Sequence, residues 1–371
     1  MPPHHLAVNL NTVNFTASET VLAAGPGLTA SVFHYRSGVA ALRFTNAVGE
    51  IIVLPFHGQQ IWDATFHGRR LTMRSMFDEP AATTEYLCNY GAFFLHCGAT
   101  AMGNPGPGDS HRLHGELPNA PYRSAELIVG EDEDGPYMGL TGTTRHTVAF
   151  AYNYEARPTL KLHGGSGRIK LDLAICNLKN SNMDLMYLAH INFRPVDGST
   201  LIDMVPDEIK HIRVRMKLPE FFQPSENHRQ LIELLKVDPA RHREILPGRA
   251  IDPELVIAMD FKAGPDGWAH AMQILKDGTA DFVSHRPEEL AHGVRWITRT
   301  ADQDALGLFL PATAEADGFT AEKAKGHILT LPPKGEFHCR MAFGALTSEE
   351  AKDLHARIKA VVKVQCEAPQ D

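Results

Sequence analysis

The chain has 371 residues, 36 Lys+Arg against 44 Asp+Glu, a formal charge of −8 and 43% apolar residues. Such a composition can bury a large core without disulfides, and its acidic balance argues against nucleic-acid or anionic-membrane surfaces, which select clustered Lys and Arg. Histidine is the outlier, at 20 residues, which raises sugars, metals and proton transfer as roles to be tested against simple dispersal.

The start, MPPHHLAVNLN, has no basic stretch followed by an apolar one and does not read as a secretory leader. Short apolar or alternating runs follow, broken by Gly, Pro, Asp and Asn. Residues 32–35, 39–44, 51–55, 60–66 and 92–97 are predicted strands. Beyond a long loop come 125–129, 137–142, 147–154, 159–162, 168–176 and 184–193. The series closes with 209–216, 254–261, 269–275, 280–284, 293–298, 306–310, 327–331 and 336–343. Two segments are helical instead. Residues 225–246 have Ser225 as N-cap and Leu231, Leu234 and Leu235 on one face, with Pro239 opening a second short helix. Residues 347–364 begin with a Thr347/Glu350 capping box and form a C-terminal helix. There is no repeat, no composition break and no apolar run long enough to span a membrane. The pattern predicts a mainly β chain with antiparallel sheets packed face to face, as a single domain over 1–371.

Five cysteines, Cys88, Cys97, Cys176, Cys339 and Cys366, form no CxxC pair and are odd in number. That argues against a zinc ribbon or disulfide framework and for a reduced, cytoplasmic protein. Phosphate-cradling GxxxxGK[ST] and GxGxxG motifs, HExxH and a GxSxG elbow are all missing.

Three constellations remain that carry chemistry. The loop LHCGATAMGNPGPGDSHRLHGELPNAPY, residues 95–122, holds His96, His111, Arg112, His114 and Glu116 among glycines and prolines. Long loops on a rigid scaffold often project binding groups, although turn-capping surface histidines are the plain alternative. The run YLAHINF, residues 187–193, places Leu188, His190 and Asn192 on one strand face by alternation. The run VRWITRTADQDALGLFLPATAEAD, residues 294–317, offers Trp296 for sugar stacking and Arg299, Asp302, Asp304 and Glu315 for hydroxyl contacts. Core packing for the tryptophan and a solvated loop for the charges are the ordinary alternatives. Arg69, Arg70, Arg74, Arg112 and Arg123 lie near these segments and would suit an anionic ligand, or would simply be surface charges.

Together the segments RLHGELPNAPY, YLAHINF and GLFLPATAEADG resemble the aldose 1-epimerase (galactose mutarotase-like) superfamily, in its divergent DUF4432, or aldose-epimerase-like, branch. The likeness runs from LPFHGQQIWDATFHGRRL at residues 54–71 to LTLPPKGEF at 329–337. It implies one large antiparallel β-supersandwich with a sugar cleft, to which the helical insertion at 225–246 and the C-terminal helix read above are added. It further implies His190 as catalytic acid and His114, of the LHG motif, as a cleft residue, with no cofactor. Arg74, His96, His111, Asn192, Trp296, Asp304 and Glu315 are the expected substrate contacts. An imidazole suits proton transfer because its pKa lies near working pH.

The sequence departs from the family's pattern at the base. Aligning GLFLPATAEADG on the family's Gly-Leu-Glu-Pro segment puts Leu310 before Pro311, where the base glutamate stands. The branch commonly follows LHG with Arg, whereas Glu116 stands here. Glu116, Asp304 and Glu315 are the expected replacements, with Glu116 taken as catalytic beside His190 and His114. The leading expectation is a carbohydrate epimerase or isomerase acting by acid/base catalysis on a small-molecule carbohydrate. Two others compete. One is a metal-dependent sugar or sugar-acid isomerase, epimerase or lyase, with a divalent metal on some of His96, His111, His114 and His190. The other is a non-catalytic sugar-binding protein. No nucleic-acid or membrane partner is expected, and a homodimer is one option for assembly.

Overall fold

The computed structural model describes residues 5–206, 208–216 and 224–366. Period-two alternation builds its strands. In Arg168–Asn177 the apolar Ile169, Leu171, Leu173 and Ile175 are buried while the intervening side chains face outward. Every pairing is antiparallel among the described strands.

Two large sheets result. The nine-stranded sheet runs His5–Asn9, Ser124–Asp132, Gly135–Val148, Tyr152–His163, Arg168–Asn177, Glu336–Leu346, Ala280–His285, Ala269–Ile274, Thr200–Asp203. The thirteen-stranded sheet runs Ile212–Val214, Ile251–Met259, His292–Arg299, Asp304–Ala312, Met183–Ile191, Phe94–Ala99, Ile61–Phe66, Gly49–Val53, Ala40–Asn46, Leu28–His34, Thr20–Gly25. Arg69–Arg70 and Leu329–Leu331 pair with strands of its middle. The sheets meet through aromatic rings, with Phe94 of one stacked on Phe343 of the other at 5.2 Å between centroids.

The helices fall where capping chemistry predicts. Ser225 Oγ accepts from His228 N at 3.2 Å and starts Glu226–Val237, which buries Leu231, Ile232 and Leu235. Pro239 opens a short 3-10 helix, Pro239–Arg243. Thr347 and Glu350 form the reciprocal capping box of Ser348–Cys366.

Several local expectations need correction. Residues 147–154 are not a strand but the tip of a hairpin joining Gly135–Val148 to Tyr152–His163, and Phe150 takes φ 67° there. Its alternation looked continuous because the apolar tip VAFAY carries no Gly or Pro. Residues 209–211 form a 3-10 turn before Ile212–Val214. His5–Asn9, Thr20–Gly25 and Thr200–Asp203 were not anticipated as strands, nor Phe319–Lys325 as a helix. The first four residues of the MPPHHLAVNLN reading lie outside the described residues.

One ion pair ties the two sheets together. Asp203 and Arg295 are both fully buried at their side chains, with Arg295 Nη2 3.0 Å from Asp203 Oδ2. Arg243 of the insertion donates to Asp203 Oδ1 at 2.8 Å, and Arg295 Nε donates to Leu308 O at 2.9 Å. Burial alone would raise the Asp203 carboxyl, but Arg295 and Arg243 hold it down at about 2. Removing one member of such a cluster strands buried charge, so Asp203→Ala is expected to cost roughly 3–5 kcal/mol. Denaturant unfolding measures this directly, and a loss below about 1 kcal/mol would contradict the clamp.

Candidate functional site

The site begins with a turn. The chain leaves Phe94–Ala99 and returns through His114-Gly115, both residues having left-handed backbone (φ 57° and 77°). For His114, which has a Cβ, that conformation is strained and must be held by its surroundings. A Cβ on Gly115 would lie 2.4 Å from both Ala101 O and Gly98 O, so only glycine fits. Glu116 locks the turn. Its Oε1 accepts from Ala99 N and Thr100 N at 3.1 Å and from Tyr154 Oη at 2.5 Å, and its Oε2 accepts from Thr100 Oγ1 at 2.7 Å.

This turn lays His114 against His190 of Met183–Ile191. The rings stand edge to face, 5.5 Å apart at 82°. Trp296 of His292–Arg299 closes on His190 at 5.3 Å, and Tyr90 lies 5.7 Å from it with Oη 3.4 Å from His190 Nε2. Tyr86 packs on His114 at 5.0 Å and on Tyr90 at 5.1 Å. Asn192, fully buried, accepts from Tyr90 Oη at 3.3 Å and donates to Ala92 O at 3.0 Å, so it fixes Tyr90 from beneath. His114, His190 and Trp296 line a cavity of about 40 Å³ together with Asn104, Leu188, Arg215, Glu254, Val256, Val294 and Leu310, and the two tyrosines pack behind the imidazoles.

The imidazoles are orphaned inside this wall. His114 Nδ1 and His190 Nδ1 are buried without a hydrogen-bond partner. Burial holds His190 down at about 4 against a weak opposing hydrogen bond from Asn192. Burial first, then the charges of His190, Arg215 and His111, push His114 well below the ordinary histidine value. Both rings are therefore neutral near pH 7.

Other predicted residues lie elsewhere. His96 pairs with Ala189 across the strands, so it faces away from His190 into the space between the sheets, where Nδ1 meets Tyr187 Oη at 2.8 Å. His111 lines a larger groove of about 850 Å³ on the far side of the loop, and its Nε2 accepts from Phe319 N at 3.3 Å. The set His96, His111, His114 and His190 is thus not gathered into one coordination sphere: strand alternation turns His96 away and the loop carries His111 past the cavity. Arg74 is a strap, its guanidinium donating to Thr300 O and Ala301 O. Asp304 pairs with Arg299 at 2.9 Å and Arg194 at 3.4 Å. Glu315 pairs with Arg213 at 2.8 Å and Lys325 at 2.7 Å. Neither carboxylate, nor Glu116, lines the histidine cavity. Glu116 instead serves as the anchor of the turn.

Among the described residues the clusters with metal-ligand spacing are Asp132, Asp134, His163 and Glu315, Glu322, His327. Lysines already supply the positive charge in both. Lys161 sits 2.9 Å from Asp132 and Lys170 pairs with Asp134, while Lys325 meets Glu315, Asp317 and Glu322.

Sequence reading missed Glu254, Arg215, Tyr86 and Tyr90. Trp296 Nε1 donates to Glu254 Oε2 at 2.7 Å. Arg215 Nη2 donates to Ala316 O at 2.9 Å and Asp317 Oδ1 at 2.6 Å. The available signal was a glutamate at the head of the apolar run LVIAM, residues 255–259.

The fold is that of galactose mutarotase-like proteins. A candidate aldose 1-epimerase from Klebsiella pneumoniae superposes with a TM-score of 0.80 at 14% identity, over 97% of this chain and 96% of that one. A candidate aldose 1-epimerase from Escherichia coli K12 gives 0.54 at 12% identity, over 89% and 99% of the two chains. A galactose mutarotase related enzyme from Lactobacillus acidophilus gives 0.52 at 12% identity, over 83% and 98%. Residues 36–213 match the family described as Domain of unknown function (DUF4432), the branch that the LHG and His-Asn-Phe segments resemble. No curated protein matches the sequence.

The buried rings make the fold acid-sensitive in a defined window. His96 and His285 lie at about 3 and His190 and His270 at about 4, each from burial first. His114 and His242 are also held well below their ordinary value by burial first. An unfolded histidine binds its proton near 6.5, so between that pH and about 4 the unfolded chain binds more protons than the native one. Stability is full above about 6.5 and falls as pH drops, by up to about 1.4 kcal/mol per pH unit for each such ring. Melting temperatures measured from pH 7 down to 5 should decline steadily, and an unchanged midpoint would mean that the rings are not buried neutral.

Proposed function

We propose that the protein is a carbohydrate isomerase of aldose 1-epimerase type that works through His190 and His114. The observation that carries this reading is the pair of buried imidazoles, each with an unpartnered Nδ1, meeting edge to face in a cavity lined by Trp296, Arg215 and Glu254. Aromatic faces and a few fixed polar groups are what a pyranose ring needs, since its axial hydrogens pack on aromatic rings while its hydroxyls seek donors and acceptors. The likeness of the fold to candidate aldose 1-epimerases and a mutarotase related enzyme supports the same class.

Mutarotation needs two proton transfers and no redox step. One group takes the proton of the anomeric hydroxyl while another delivers a proton to the ring oxygen. The ring opens to an aldehyde, the C1–C2 bond turns, and the ring recloses on the other face. His190 is assigned the delivery to the ring oxygen and His114 a hydrogen bond to the sugar. At about 40 Å³ the cavity is smaller than the roughly 300 Å³ at which ligand pockets begin, so a pyranose can enter only if lining side chains shift. The binding-protein alternative predicts affinity without turnover, and the same assay separates the two.

Polarimetry of freshly dissolved aldohexoses, aldopentoses and uronic acids is the test. Wild type should accelerate anomer equilibration of at least one sugar, and His190→Ala should lower kcat by about 10²-fold or more. No acceleration across the panel would sink the reading. Because His190 donates as the protonated form and sits at about 4 in the free protein, kcat/KM should rise as pH falls from about 8 towards about 5. A profile flat across that range would assign the donor role to another group.

A further inference from the structure

We propose that Glu254 is the carboxylate that takes the anomeric proton, entering the cavity two strands away from the family position now occupied by Leu310. The inference rests on the reading above and names the base it lacks.

The three carboxylates expected from sequence are all committed. Glu116 accepts four hydrogen bonds that hold the 98–116 turn. Asp304 and Glu315 are each paired to two cations and stand outside the cavity. Leu310 does line the cavity, at 1% exposure, so the family position faces the right space with a side chain that cannot accept a proton. Glu254 is the carboxylate in that wall.

Its approach is built into the strand. Ile251–Met259 pairs with His292–Arg299, and a register shift between Ile251 and Leu255 interrupts the ladder where Glu254 lies. Val256, two residues on, lines the same cavity, as alternation requires. Trp296 Nε1 then holds Oε2 at 2.7 Å, while Oε1 has no hydrogen-bond partner among the described residues. One oxygen is anchored and the other is free, which is the arrangement a positioned proton acceptor needs. The anchoring ring is also the one 5.3 Å from His190, so acceptor and donor share one wall.

The step balances without a co-reactant. Glu254 takes the proton from O1, and the C1–O5 bond breaks with its electron pair passing to O5. His190 delivers a proton to O5, leaving a carbonyl at C1. After rotation about C1–C2 both protons return along the same paths, and the other anomer leaves.

The test uses the most rapidly equilibrated sugar of the polarimetric panel. Glu254→Gln keeps the shape and the hydrogen bond from Trp296 but cannot take the proton, so kcat should fall about 10²-fold or more with KM within about threefold. Glu254→Ala should regain part of its rate with added formate, which a residue serving only to hold Trp296 would not show. Glu315→Gln should retain wild-type kcat. Near-UV circular dichroism confirms that each variant is folded, and Glu254→Asp, with a carboxylate one methylene shorter, provides a second variant that should keep measurable turnover. Glu254→Gln with wild-type kcat, or Glu254→Ala without any response to formate, overturns the assignment while leaving the isomerase reading intact. A wild type inactive on the whole panel overturns both.

Discussion

The buried pair of Asp203 and Arg295 is the constraint on which the rest of the molecule depends. Asp203 ends an edge strand of the nine-stranded sheet, and Arg295 lies in the interior of the thirteen-stranded one. Two sheets packed face to face slide easily when only apolar surfaces meet, because the hydrophobic effect is non-directional. A charge pair with a 3.0 Å bond fixes one relative position. The insertion adds a second hold, since Arg243 reaches Asp203 and His242 Nδ1 lies 3.3 Å from Arg295 Nη1. Its short helices therefore act as a clasp over the joint, which explains why an otherwise β chain carries a capped helical segment at this point.

Strand alternation carries that constraint to the cavity. Arg295 points between the sheets, so its neighbour Trp296 points out of the opposite face, toward His190. The next strands repeat the division. Tyr187 and His96 pack inward against the Phe94–Phe343 stack, while Leu188 and His190 face outward. A single rigid sheet thus presents the ion pair on one side and the imidazole on the other. The outer side would be an exposed apolar surface without the 100–116 loop, and Glu116 is what keeps that loop folded back. Its placement shows how a carboxylate inside a functional motif can serve the backbone rather than the chemistry.

What could be read in the sequence follows the range of the forces involved. The meeting of His114 and His190 was legible in part, because each sits in a short motif, LHG and YLAHINF, whose local geometry the chain itself dictates. The caps at Ser225 and Thr347 were legible for the same reason. His96 was misplaced because adjacency in sequence was given more weight than its register: its partner Ala189 puts it on the wrong face for the cavity. Glu254 was passed over because it was read only as the first residue of a strand, and what singles it out, the hydrogen bond from Trp296, comes from a strand some forty residues away. Arg74, Asp304 and Glu315 carried suitable charges, but sequence cannot say which of many cations and carboxylates will pair with one another first.

The same reasoning bears on how a sugar would sit. Neighbouring strands are about 4.8 Å apart, so the proposed acceptor on Ile251–Met259 starts from a backbone roughly 10 Å from that of Asp304–Ala312, yet its side chain and that of Leu310 line the same cavity. His190 keeps its place, because Met183–Ile191 is fixed between two neighbours. A sugar would therefore meet the proposed acceptor from a different side of the same cavity, which Arg215 also lines. The protonated ring of His190 is also costly in this wall, since burial removes its hydration. A carboxylate anchored by Trp296 offsets that cost only while water is excluded, because Coulomb attraction weakens as the local dielectric rises. Delivery of the proton from His190 and exclusion of water by the bound sugar are therefore coupled in the proposed reaction.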